Sequence, residues 1–110
     1  ISNNLVAWLA PCLKESGPVW PHGHDYLYES QRAVARKAGV KWKQNALRHS
    51  FISYRMAMVK DANQVALEAG NSPDIIFRNY LELVTQTQAR SWFGIEPEAR
   101  GKVISINSAS

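Results

Sequence analysis

Within five residues, Gly70-Asn71-Ser72-Pro73-Asp74, the chain stops one helix and starts another. Glycine reaches the left-handed backbone that commonly closes a helix. Serine then offers a capping hydroxyl, proline fits a first turn in which its missing N–H is not needed, and an early carboxylate suits the positive end of the helix dipole. Similar punctuation recurs along the chain. Asp61 is a predicted N-cap ahead of Val65, Ala66 and Ala69, and Gly39 closes a predicted helix over residues 25 to 38. Thr85 and Gln88 have capping-box spacing ahead of Ala89, Trp92 and Phe93, with Gly94 as the stop.

Between these signals the apolar residues recur with helical spacing. Ser2 followed by Leu5, Val6, Trp8, Leu9 and Leu13 predicts a helix over residues 2 to 13, and Gly17, Pro18, Pro21 and Gly23 predict a loop after it. Tyr28, Ala35 and Ala38 are the expected inner face of the second helix. The third, over about residues 46 to 59, has Leu47, Phe51, Tyr54 and Met58 as its expected apolar stripe, with Arg48 and Arg55 on a different face and turned to a ligand. Ile76, Tyr80 and Leu83 lie along one line of the fifth. Only Val103-Ile104-Ser105-Ile106 alternates in the manner of a short strand or docking tail. The predicted fold is therefore a mainly α, compact multi-helix domain with at most one short C-terminal strand.

With 110 residues, 45% of them hydrophobic and 20% charged, the chain supports one modest core. No apolar run is of membrane-spanning length and no export signal opens the chain, so a cytoplasmic protein with no membrane partner is expected. The lone Cys12 has no internal disulfide partner and is expected to be a small buried hydrophobe. The net charge of +4 is unevenly spread, because no acidic residue occurs between Glu29 and Asp61, a gap that holds eight cations. Such a field attracts a polyanion through counterion release, although a solvated basic helix face has the same composition.

A longer pattern ties these pieces together. Leu47-Arg48-His49-Ser50-Phe51 is followed 23 positions after Arg48 by Asn71, and nine positions later by Tyr80. This ladder resembles the second half of the catalytic domain of the tyrosine recombinases, the phage integrase family. There a His-x-x-Arg opens one helix, a His or Trp follows a glycine after a second, and a tyrosine nucleophile lies one short helix further on. Arg48 and Tyr80 match, whereas Asn45 and Asn71 stand where the family has His and His or Trp. The resemblance covers roughly residues 1 to 95. It implies a partial catalytic domain over residues 1 to 96 and a tail over residues 97 to 110 that docks on a neighbouring protomer.

What the resemblance implies chemically can be stated residue by residue. Tyr80 attacks a DNA phosphodiester to give a 3′-phosphotyrosyl link, and Arg48 clamps a non-bridging oxygen with its planar fork. His49 matches the Arg-His pair of the family and braces the site. Asn45 and Asn71 can hydrogen-bond a phosphate but exchange no proton as imidazole does. Lys41, Lys43, Arg55 and Arg78 are the expected DNA-binding cations. No metal or cofactor is required, the partner is DNA, and self-association on DNA, tetrameric in the family, is implied. The family's first arginine and hairpin lysine are expected upstream of Ile1, so these residues alone are not expected to complete cleavage.

Each of these residues also has a plainer reading: Tyr80 as a core tyrosine, Arg48 as a surface ion-pair partner, Asn45 as an N-cap, Asn71 as a turn residue and His49 as an ordinary hydrogen-bonded side chain. Read alone, residues 61 to 81 also resemble the helix-turn-helix of regulators of the TetR group, with Arg78 and Asn79 near base edges, which makes a non-catalytic DNA binder the alternative. His22, His24 and Cys12 lack a fourth partner for a metal. The four tryptophans are expected to pack, with Trp42, between two lysines, near a DNA backbone.

Overall fold

A computed structural model describes residues 1 to 81 and 83 to 98, and every regular element in it is helical. The helices are α1 (Asn3–Leu9), α2 (His24–Lys37), α3 (Ala46–Val59), α4 (Ala62–Ala69), α5 (Pro73–Tyr80) and α6 (Gln86–Phe93), with one 3-10 turn, Ala10–Cys12, after α1. The mainly α fold read from the sequence is the observed one. None of these helices is long and apolar enough to cross a membrane. The Val103 to Ile106 segment lies outside the described residues.

Local signals set the helix ends in the second half of the chain. The Asp61 carboxylate accepts from the N–H groups of Asn63 and Gln64, and the Ser72 hydroxyl accepts from Ile75 N–H. Gly70 adopts the left-handed conformation at the end of α4, with φ +67°, and Asn71 N–H then reaches back to the Ala66 carbonyl at 3.0 Å. The capping box holds at α6, where Gln88 N–H donates to the Thr85 hydroxyl and Thr85 N–H donates to the Gln88 side chain.

The core lies where α3, α4 and α5 meet. Ile52, Met56, Val65, Ala66, Ile76 and Tyr80 are buried together there, and Ile52, Val65 and Ile76 are fully enclosed. Each of those three aliphatic side chains contributes roughly 1.5–3 kcal/mol by leaving water. α6 closes onto α3 through aromatic rings, with Tyr54 stacked on Trp92 at 4.8 Å and Phe51 edge-on to Phe93 at 6.4 Å.

Several expectations are corrected. The enclosed line of α3 is Ile52 and Met56, one turn apart, while Leu47 is 65% exposed. Tyr54 and Phe51 form a second, half-buried line, because α3 meets α4 and α5 on one side and α6 on another. Leu83 is exposed because α5 ends at Tyr80. The first helix stops at Leu9, since Pro11 has no N–H to continue the ladder, and Ser2 precedes it without a side-chain cap bond. The second helix begins at His24 and buries Ala35 alone, leaving Tyr28 and Ala38 exposed. Cys12 is exposed, at the end of the 3-10 turn, rather than buried.

Candidate active site

The residues marked by the sequence ladder converge. Asn45, Arg48, His49, Asn71 and Tyr80 all line one cleft of about 580 Å³. α3 supplies Arg48 and His49 from its first turn, the α4–α5 corner supplies Asn71, and α5 delivers Tyr80 from its last turn. The corner that the Gly70 to Asp74 signals dictate thus turns Asn71 and Tyr80 toward the start of α3.

The order of the cleft rests on specific bonds. Arg48 Nη2 donates to the Ala69 carbonyl at 2.5 Å and to the Gly70 carbonyl at 3.3 Å. Those oxygens end α4, where the helix dipole favours a cation. Arg48 therefore links the start of α3 to the corner carrying Asn71, and its fork has Nε–H and Nη1–H donors besides the nitrogen so used. The Tyr80 ring is 6% exposed, and its phenol is hydrogen-bonded to His49 Nδ1, with the two rings stacked at 5.6 Å. Tyr80 also forms part of the wall of a second cavity of about 480 Å³, lined on that side by Met56, Lys60, Val84 and Gln88. The phenol thus sits in a partition between two open spaces.

Asn45 does not cap α3. It holds a left-handed conformation, φ +55°, at the residue before the helix, and its side chain makes no cap bond there, so the amide borders the cleft instead. Asparagine tolerates this backbone better than most residues. Asn71 occupies its turn as expected and is half-buried at the cleft wall.

The expected DNA-binding cations lie elsewhere. Arg55 makes a two-pronged ion pair with Glu68, at 2.7 and 2.9 Å, so it faces α4 and not an open ligand site. The cause is its position two turns after Arg48, which turns both arginines toward the same neighbouring helix. The Arg55 hydrogen bonds hold the Glu68 carboxyl well below the usual carboxylate range, at about 2, although partial loss of hydration acts the other way and Gln64 assists. The same pairing raises Arg55. Lys41, Lys43 and Arg78 are exposed and do not line the cleft. His22 packs among Trp20 and Tyr26, with ring centroids 5.3 and 4.8 Å away, and no group of three or more metal-ligating side chains occurs among the described residues.

Besides the apolar Ile75 and Leu83, two polar cleft residues escape the sequence reading as site members. Ser53 lies four positions after His49, on the same helix face, and its hydroxyl donates to the His49 carbonyl at 2.8 Å. Asn79 lines the cleft next to Tyr80 and donates to the Ile75 carbonyl at 3.0 Å. The four-residue spacing from His49 is the signal by which Ser53 could have been found; nothing in the sequence marked Asn79 as part of this site.

The described cleft therefore combines a phenol bonded to an imidazole, one guanidinium and several amide or hydroxyl groups, with no carboxylate among its described lining residues. That set suits an anionic group with several oxygens. Comparison with protein families, with curated proteins and with solved structures finds no match for this chain.

Proposed function

We propose that this chain forms part of the catalytic domain of a DNA strand-breaking and rejoining enzyme of the tyrosine recombinase type. The observation that carries the reading is the convergence of Asn45, Arg48, His49, Asn71 and Tyr80, spread over 36 positions, on one cleft. The Tyr80 phenol oxygen attacks phosphorus, the bond from phosphorus to the 5′ oxygen breaks, and a 3′-phosphotyrosyl link conserves the bond for rejoining. Arg48 neutralises charge on the non-bridging oxygens while its bonds to the end of α4 hold its guanidinium in place. Asn45 and Asn71 donate amide hydrogen bonds to the same phosphate. The exposed lysines Lys41 and Lys43 contribute backbone attraction, as does Arg78. DNA is the partner, self-association on it accompanies the reaction, and the tail from Pro97 docks on a neighbouring protomer.

A covalent trapping experiment tests this. The full-length protein is incubated with a pool of nicked duplexes whose cleavage region is randomised, and protein–DNA adducts are read on denaturing gels. An adduct present for the natural sequence and absent for Tyr80→Phe is the expected result.

The deep burial of Tyr80 favours a second reading, in which the tyrosine only fills the core between α3 and α5 of a helix-turn-helix regulator. In that reading α5 presents Phe77, Arg78 and Asn79, all exposed, to a DNA groove. Sequence-selective DNA binding without any adduct supports the regulator. Absence of both DNA binding and adduct favours a protein-interaction module with a vestigial site.

A further inference from the structure

A tyrosine that bonds to phosphorus must give up its phenolic proton, and the cleft offers few places for it to go. Among the described lining residues only Arg48, His49 and Tyr80 carry ionisable side chains. Asn45, Asn71, Asn79 and Ser53 accept no proton near neutral pH, and a guanidinium already holds all of its own. His49 is hydrogen-bonded through Nδ1 to the Tyr80 hydroxyl, and their rings lie 5.6 Å apart and 24° from parallel.

We infer that His49 is the general base of strand cleavage, taking the Tyr80 proton on Nδ1 and returning it when the strand is rejoined. This rests on Tyr80 being the nucleophile proposed above. It gives the arginine-adjacent histidine a chemical task that the amides at positions 45 and 71 are unable to perform.

The fold prepares His49 for that task. Its backbone N–H donates to the Asn45 carbonyl at 2.9 Å and its carbonyl accepts from Ser53 Oγ at 2.8 Å, so the residue is held on both sides within the first turns of α3. Stacking on Tyr80 then restricts the ring. For Nδ1 to accept, the proton of the neutral imidazole resides on Nε2. In the forward step the phenolic proton moves to Nδ1, the bond from Oη to phosphorus forms, and the bond from phosphorus to O5′ breaks. O5′ takes a proton from water, releasing hydroxide to solvent. In the reverse step the 5′-hydroxyl oxygen bonds to phosphorus and yields its proton to that hydroxide, while the imidazolium returns its proton to the departing phenolate. Among the described residues, the charges lining the spaces beside this pair are Arg48 from the same helix and Lys60 on the other side of Tyr80; α5 and the α4–α5 corner line the cleft with the uncharged Asn71, Ile75 and Asn79.

The test uses the full-length protein with His49→Asn, whose amide oxygen at the Nδ1 position accepts the phenolic hydrogen bond but takes no proton. Suicide duplexes are made with an ordinary scissile phosphate or with sulfur replacing the 5′-bridging oxygen, a leaving group that departs without protonation. The expected result is a fall of ~10²–10⁴-fold in adduct formation on both substrates with DNA affinity retained. Cleavage by His49→Asn at the natural rate overturns the assignment by reducing His49 to a brace. Rescue by the sulfur substrate also overturns it, by moving His49 to the leaving group. A measurement on the natural sequence guards against a misfolded variant: Tyr80→Phe is expected to shift the ¹⁵N resonance of His49 Nδ1, and an unmoved resonance overturns the hydrogen bond itself. Failure of the natural protein to form any adduct is a different outcome, which removes the recombinase reading and this one with it.

Discussion

The chain before Ala46 and the chain from Ala46 to Phe93 follow the same helix rules, yet they differ in what their helices find to pack against. The later part buries Ile52, Met56, Val65, Ala66, Ile76, Tyr80 and Ala89, whereas the earlier part buries only Ala35. Leu5, Val6, Trp8, Tyr28 and Val34 remain substantially exposed on α1 and α2. What fastens α1 is largely polar, the Trp8 indole N–H donating to the Ile95 carbonyl at 3.0 Å and the Asn4 amide to the same oxygen at 3.4 Å. Helical periodicity is thus a local property, while burial requires a second surface of matching shape. Apart from Asn45, the candidate cleft lies on the buried side of this divide, lined from helices α3 and α5 and the corner before α5, whose mutual geometry is held by a shared core.

The contrast can be broken most directly in the core. Ile76→Ala is expected to lower unfolding stability by about 2–5 kcal/mol, whereas Val34→Ala, on the exposed α2 surface, changes it by less than about 0.5 kcal/mol. Urea unfolding of both variants measures the difference, and equal losses would abolish the distinction between the halves. For chemistry, Arg48→Ala is expected to reduce adduct formation by ~10²–10³-fold with a far smaller effect on DNA binding. Arg36→Ala on α2 should change salt-dependent affinity alone, and unchanged cleavage in the Arg48 variant would count against its role.

Smaller effects sharpen the same comparison. Removing a working cap by Asp61→Ala is expected to cost about 0.5–2 kcal/mol in thermal or urea unfolding. Ser2→Ala should cost almost nothing, because the Ser2 side chain makes no cap bond. A small effect also belongs to the Arg55–Glu68 pair, which is partly open to solvent and therefore contributes no more than about 1 kcal/mol. Its sign is defined: the Glu68 carboxyl is lowered from 4.5 to about 2 in the fold, so the contribution is fully present above pH 4.5 and fades as pH falls toward 2. Glu68→Gln should be less stable than the natural sequence at pH 7, with the gap narrowing at pH 3, and a gap independent of pH would contradict the pairing.

The legible parts of the fold were those written in neighbouring residues. Asp61, Gly70, Ser72 and the Thr85–Gln88 pair act where the sequence indicated, because a cap bond spans two to four positions. The α3 stripe was misread because helical spacing supports several apolar lines on one helix, and the line that is enclosed depends on which helices arrive. Leu47 satisfies the period and meets solvent; Ile52 meets α4 and α5. Arg55 was assigned to a ligand because Glu68 lies 13 positions away, on a helix whose approach no local pattern encodes.

The candidate site divides along the same line. The resemblance to the recombinase ladder linked Arg48, Asn71 and Tyr80, and fixed helix lengths with a tight corner carry those residues to one cleft. The pairing of His49 with Tyr80, the seating of Arg48 on the end of α4 and the turning of Asn45 into the cleft are tertiary facts. Sequence determined the caps and stops at Asp61, Gly70, Ser72 and Thr85, because those signals act over one turn. Tertiary structure decided which faces are enclosed and which polar groups meet, because contacts between helices depend on approach and crossing, set by the whole core at once.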